Sequence, residues 1–202
     1  MARGIKTTLE FAALAIVLGL SVPCLAQETP PASEMLKAHA TLLGLARDEA
    51  APEQDDDSDL YYSIVENPDA PRLVTRLEVG GIPCRARSIS ALQFPAQWAT
   101  LTLGIVDLRR VTSVVAYASV DDMIAEINPV PFDAPQAEQV VLTGKGLYCL
   151  SRLSLSGEGS GDEACADRLD LSMMDAEQKA RGRSALAIVA SVCDAPAFRK
   201  KK

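Results

Sequence analysis

Alternation of apolar and polar positions is clearest between residues 73 and 118, and it predicts β-structure there. Leu73, Thr75, Leu77 and Val79 interleave with Val74, Arg76 and Glu78, the period of two of a strand with one buried face. Gly80-Gly81 ends the run, a pair that tolerates the positive backbone angles of a tight turn. Pro83 lacks an amide hydrogen, so residues 85–92 are expected to return as an edge strand with Arg85 and Arg87 on one face. Leu101, Leu103 and Ile105 alternate with Thr100, Thr102 and Gly104, residues 107–110 turn, and residues 111–118 make a third β-rich run. Apolar positions at three- and four-residue spacing are absent here. No crossover helix fits, and an antiparallel meander of three or four strands follows.

Helical spacing takes over on either side. Ser33 caps a predicted helix through Met35, Leu36, His39, Leu42, Leu43 and Ala46. Ser119 or Asp121 opens a short helix through Met123, Ile124 and Ile127, stopped by Asn128-Pro129. Residues 139–143 and 147–155 read as a hairpin turned by Gly144-Lys145-Gly146. Residues 168–174 fit strand or helix. Asp175 caps a helix through Glu177, Lys179 and Arg181. The apolar run 185–192 reads as its continuation, with a central strand as the alternative. The expected fold is α+β: an antiparallel sheet of about five strands with two or three helices, preceded by a helical acidic arm.

The first residues add an address. Arg3 and Lys6 precede an apolar run over residues 11–22, and Pro23-Cys24-Leu25-Ala26 brings a small residue up to Gln27. This predicts a signal peptide over residues 1–26 of a bacterial kind, with lipidation of Cys24 as the alternative. No other stretch is long enough to span a bilayer, so a periplasmic or secreted protein is expected. Cleavage leaves 176 residues, enough for one core. They divide into an acidic arm and linker (27–71), a domain (72–198) and a basic tail (199–202). Cys84, Cys149, Cys165 and Cys193 remain, and an even number in an oxidising compartment predicts two disulfides. Cys84–Cys149 and Cys165–Cys193 are the expected pairs, because each cysteine lies near a predicted element end. A four-thiolate zinc site is disfavoured, since no C-x-x-C pair exists.

Charge sharpens the division. Residues 27–71 carry eleven acidic and two basic side chains, whereas residues 72–202 carry fifteen and sixteen. The negative charge therefore resides in the arm, which argues against nucleic acid as its partner. Asp55, Asp57, Asp59, Ser63 and Glu66 fall at positions 1, 3, 5, 9 and 12 of a calcium loop. Leu60 occupies the position that needs glycine, so weak binding of divalent cations, or a plain solvated charge run, is the expectation. Asn67-Pro68-Asp69-Ala70-Pro71 reads as a linker.

Several chemistries are excluded. His39 is the single histidine and lies in the arm helix, leaving the domain without the base of a Ser-His-Asp or Cys-His arrangement and without histidine metal ligands. No cofactor signature is present. Asp107, Asp121, Asp122 and Glu126 are candidates for a carboxylate pair, and their spacing equally suits caps and turns. Trp98, near Phe94 and Tyr117, is either a binding platform or a core anchor. Arg72, Arg76, Arg85, Arg87, Arg109 and Arg110 are either scattered solvated charges or a patch for the acidic arm or an anionic partner. The expected function is an exported noncatalytic module that binds another envelope or secreted protein, as an assembly factor or inhibitor. A carboxylate-dependent periplasmic hydrolase and a weak calcium-dependent module are the alternatives.

Overall fold

The computed structural model describes residues 32–45, 60–65, 72–94, 97–154 and 162–198. They form one antiparallel sheet of seven strands with three α-helices, an α+β architecture. The strands are β1 (Leu60–Val65), β2 (Arg72–Val79), β3 (Arg85–Phe94), β4 (Gln97–Asp107), β5 (Ser113–Tyr117), β6 (Gln139–Ser154) and β7 (Asp162–Ser172). The helices are α1 (Ala32–Leu42), α2 (Val120–Ala125) and α3 (Ala176–Val192).

β2 to β4 form the expected meander and β1, which the sequence reading places in the arm, extends it, each strand paired with the next; the expected run 111–118 does not join it. Two expectations are corrected within it. β3 lies between β2 and β4 and is interior, because Pro83 falls in the preceding turn and removes no ladder hydrogen bond. Gly80 and Gly81 do not adopt positive φ, and a Cβ at either would meet open space.

β6 departs furthest from the sequence reading. Residues 139–154 form one long strand, not a hairpin. Its first half pairs with β5 and its second with β4, while β7 runs along the other side of both halves. β5 therefore neighbours β6 and not β4. Gly144-Lys145-Gly146-Leu147 is a bulge set against Asp167 of β7. The Asp167 carboxylate accepts the Gly146 amide at 2.7 Å, and the Arg110 guanidinium donates to the Gly146 carbonyl at 3.0 Å. Gly146 has φ +62°, and a Cβ at Gly144 would sit 1.9 Å from the Arg110 carbonyl oxygen. Both glycines serve the bulge, where backbone passes close to backbone.

α1 and α3 cover one face of the sheet. α1 presents Met35, Leu36, Ala38, Ala40 and Leu42 to a core shared with Leu77, Ala86 and Val106 of the sheet and with Leu186 and Val189 of α3. It ends earlier than its apolar spacing suggests. Gly44 turns left-handed at φ +68°, and the Leu45 amide closes back on Ala40 at 2.9 Å. α1 and β1, which the sequence groups with the acidic arm, thus form part of the helix layer and of the sheet. Residues 185–192 are helical and residues 168–172 are strand. Ser119 and Asp175 cap α2 and α3, accepting from the Asp122 and Gln178 amides.

Both expected disulfide pairings are corrected. Cys84 joins Cys193 and Cys149 joins Cys165. The register decides the second pair: Cys149 and Cys165 lie directly opposite one another on β6 and β7. That alignment follows from β6 being one bulged strand, which spacing alone does not reveal. The first pair fastens the end of α3 to the start of β3.

Candidate functional site

The face of the sheet turned away from α1 and α3 is built by alternation. Leu77, Ala86 and Val106 face the helices, so their neighbours Arg76, Glu78, Arg87 and Ile105 face the other way. The register places residues of this second face in rows. Ile64, Val74, Ala91, Leu101 and Leu153 form one row across five strands. Arg76, Ile89, Leu103, Ser151 and Glu163 form the next, and Glu78, Arg87, Ile105, Cys149 and Cys165 the third. Ile89 and Leu103 are 37 % exposed and Leu153 is 39 % exposed. Aliphatic side chains at these values, contiguous across strands, are what a contact surface leaves open.

One end of this face is basic. Arg87 pairs with Glu78 at 2.5 Å, and Arg76 reaches the same carboxylate at 3.5 Å. Asp107 closes β4 and caps the 3-10 turn Leu108–Arg110. Arg109 grips it with a fork, Nε to Oδ1 at 2.8 Å and Nη2 to Oδ2 at 2.6 Å. Arg110 approaches the same carboxylate at 3.9 Å. Hydrogen bonds from Arg109 hold the Asp107 carboxyl below the usual carboxylate range, against the opposing effect of burial. Arg85 stands opposite Asp107 in the register and has no ion pair among the described residues. The structure thus gathers Arg76, Arg85, Arg87, Arg109 and Arg110 around two carboxylates. Arg72 lies apart, opposite Gln93 at the other end of β2.

The remaining sequence candidates separate from this surface. Trp98 falls in β4 opposite Gln93, and its side chain lies outside the described residues. Asp55, Asp57, Asp59 and Glu66 lie outside them as well. Residues 60–65, positions 6 to 11 of the calcium-loop spacing, form the extended strand β1, with Ser63 buried opposite Thr75. A cluster that sequence spacing does not reveal joins Cys149, Glu163 and Cys165. Its two sulfurs are bonded to each other and are not thiolate ligands.

Of the carboxylates that the sequence offers for catalysis, Asp107 and Asp122 are held in caps and hydrogen bonds. Asp122 accepts the Ser119 hydroxyl at 2.7 Å and the Asn128 amide at 3.0 Å, and these bonds hold its pKa low. A general acid needs the opposite shift. Glu126 is exposed on the turn after α2, 3.9 Å from Arg168. His39 is fully buried, with Nε2 2.9 Å from the Pro83 carbonyl oxygen. Burial lowers its pKa, so the ring is neutral and donates from Nε2. It touches no open surface. A groove of about 930 Å³ between α1, α3 and β7, floored by Ala38, Leu171, Ala185 and Ile188, carries Lys37, Glu34, Asp170 and Arg181 around it. No protein-family model, curated protein or solved structure matches the chain.

Proposed function

We propose that the chain is an exported, noncatalytic protein-binding module, acting in the bacterial envelope as an assembly factor or inhibitor, and that the face of the sheet turned away from α1 and α3 is its contact surface. The observation that carries the reading is the contiguous exposure of Ile89, Leu103 and Leu153 beside an arginine-rich end. Apolar rows supply contact area, while arginine at a border orients an approaching partner through forked contacts. Two disulfides accord with the oxidising compartment that the predicted leader implies. The low-shifted Asp107 and Asp122 support a structural rather than a catalytic use of their carboxylates.

Photo-crosslinking in the native cell tests this. A photoreactive residue at position 89, 103 or 153 is expected to give discrete protein adducts, whereas one at exposed Glu177 on α3 gives none. Absence of adducts from all three sheet positions overturns the proposal.

A further inference from the structure

The aliphatic rows of the face turned away from α1 and α3 are complementary to themselves, and we infer that their occupant is a second copy of this chain, packed sheet on sheet about a two-fold axis running along the strands between β3 and β4. The inference rests on the reading of that face as a contact surface. Across the sheet the order on this side is β1, β2, β3, β4, β6, β7. A two-fold axis between β3 and β4 sets β3 against β4 of the copy, β2 against its β6 and β1 against its β7. In the first two rows this brings like chemistry together. Ala91 meets Leu101 and Val74 meets Leu153; Ile89 meets Leu103 at the centre. Each of these six aliphatic positions finds an aliphatic partner, and no charge is driven into the middle of these two rows.

The flanks agree in charge. Arg76 on β2 faces Ser151 of the copy, and the cross-strand neighbour of Ser151 is Glu163 on β7. Arg76 and Glu163 lie four strands apart within one chain, roughly 19 Å at the ordinary strand spacing, so they cannot pair internally. The two-fold places them one strand apart across the interface, twice over. That is within reach of an arginine side chain. Size fits a modest dimer. Six strands by three same-face rows cover about 500 Å² of flat area per copy, close to the lower bound for a specific interface when both copies are counted. The inclination of about 30° usual for packed sheets keeps the central rows in contact. The third row sets Arg87, held by Glu78, against Ile105 of the copy and forms the polar rim, with Cys149 and Cys165 at its far side.

Sedimentation velocity on protein produced from the full-length chain, at about 1 to 200 μM, tests the inference. The wild type is expected to pass from monomer to dimer within this range. Leu103→Lys should remain monomeric, with an unchanged near-UV spectrum showing that it is folded. Arg76→Glu and Glu163→Arg should each weaken the dimer about tenfold, and the two together should restore it. A dimer that survives Leu103→Lys, or charge reversals that do not compensate, would overturn the assignment to this face. A wild type monomeric throughout, with position 103 crosslinking to a different protein, rejects the second copy and leaves the proposed function standing. Monomer with no adducts rejects both.

Discussion

His39 Nε2 lies 2.9 Å from the carbonyl oxygen of Pro83, so a fully buried imidazole on α1 holds the residue next to the Cys84–Cys193 bridge. Burial is the largest influence on the ring and depresses its pKa from 6.5; the Pro83 hydrogen bond and the Asp107 charge oppose it. The unfolded chain therefore binds more protons than the folded one between 6.5 and the depressed value. Stability is fully present above about pH 6.5 and falls as the pH is lowered through that window. Asp107, whose folded pKa is also depressed, contributes stability lost only below its unfolded value of 3.8. Thermal unfolding at about pH 7.5 and 5.5 should show a lower Tm for the wild type at the acid pH. His39→Gln keeps an N–H donor and cannot titrate, so its Tm should differ less between the two.

α1 offers a second prediction. Met35 and Leu42 are among the largest fully buried side chains of the molecule. Met35→Ala or Leu42→Ala should each cost about 2–5 kcal/mol in chemical denaturation, the range for truncation in a packed core. Were α1 an appendage, either change would be near neutral. Deleting residues 27–71 would remove α1 and β1 together and should unfold the protein rather than release a free domain.

How far was this visible in the chain? Strands β2 to β4 were legible because Leu73 to Val79 and Leu101 to Ile105 alternate over runs long enough to define a face. The apolar spacing around Met35 and Leu42 likewise announced α1. β6 was not legible, because a bulge with glycines at 144 and 146 carries the same residues as a hairpin turn. Only the pairing of both halves with β7 tells them apart. The Cys149–Cys165 bridge is hidden for the same reason, since its pairing depends on that register. The arginine-rich end was half legible. The clustering of Arg85, Arg87, Arg109 and Arg110 in sequence hinted at it, but the union of Arg76 and Arg87 on Glu78 requires the strand register. The aliphatic rows beside it are not visible in the chain because each residue belongs to a different strand.

The two disulfides should differ in accessibility and in worth. Cys84 and Cys193 are 5 % and 2 % exposed, whereas Cys165 is exposed on an edge strand. Titration with a dithiol followed by alkylation and peptide mapping should label Cys149 and Cys165 first. The bridges span 109 and 16 residues. Chain entropy assigns roughly 5 kcal/mol to the longer and roughly 3 to the shorter, so Cys84→Ala with Cys193→Ala should cost more than Cys149→Ser with Cys165→Ser. Equal labelling of all four cysteines, or the reverse order of cost, would contradict this.

Gly144 separates packing from flexibility. At Gly80 or Gly81 a methyl group meets nothing within 4 Å and φ is not positive, so Gly80→Ala should be neutral or stabilise by about 0.4–1 kcal/mol. At Gly144 the same methyl would stand 1.9 Å from the Arg110 carbonyl oxygen and 2.7 Å from its carbon. Both contacts are with backbone, so no rotamer change relieves them. Either the 3-10 turn Leu108–Arg110 shifts away, loosening Arg109 from Asp107, or the bulge opens and β6 loses register with β7. Gly144→Ala should therefore cost at least about 2 kcal/mol, in the range typical of overpacking. Amide hydrogen exchange would show where the strain goes. Faster exchange at Gly146, whose amide is held by Asp167, marks opening of the bulge; faster exchange at Arg109 and Val111 marks release of the turn. A variant as stable as the wild type, with both sets of amides protected, would show that the backbone contact at Gly144 does not fix the bend of β6.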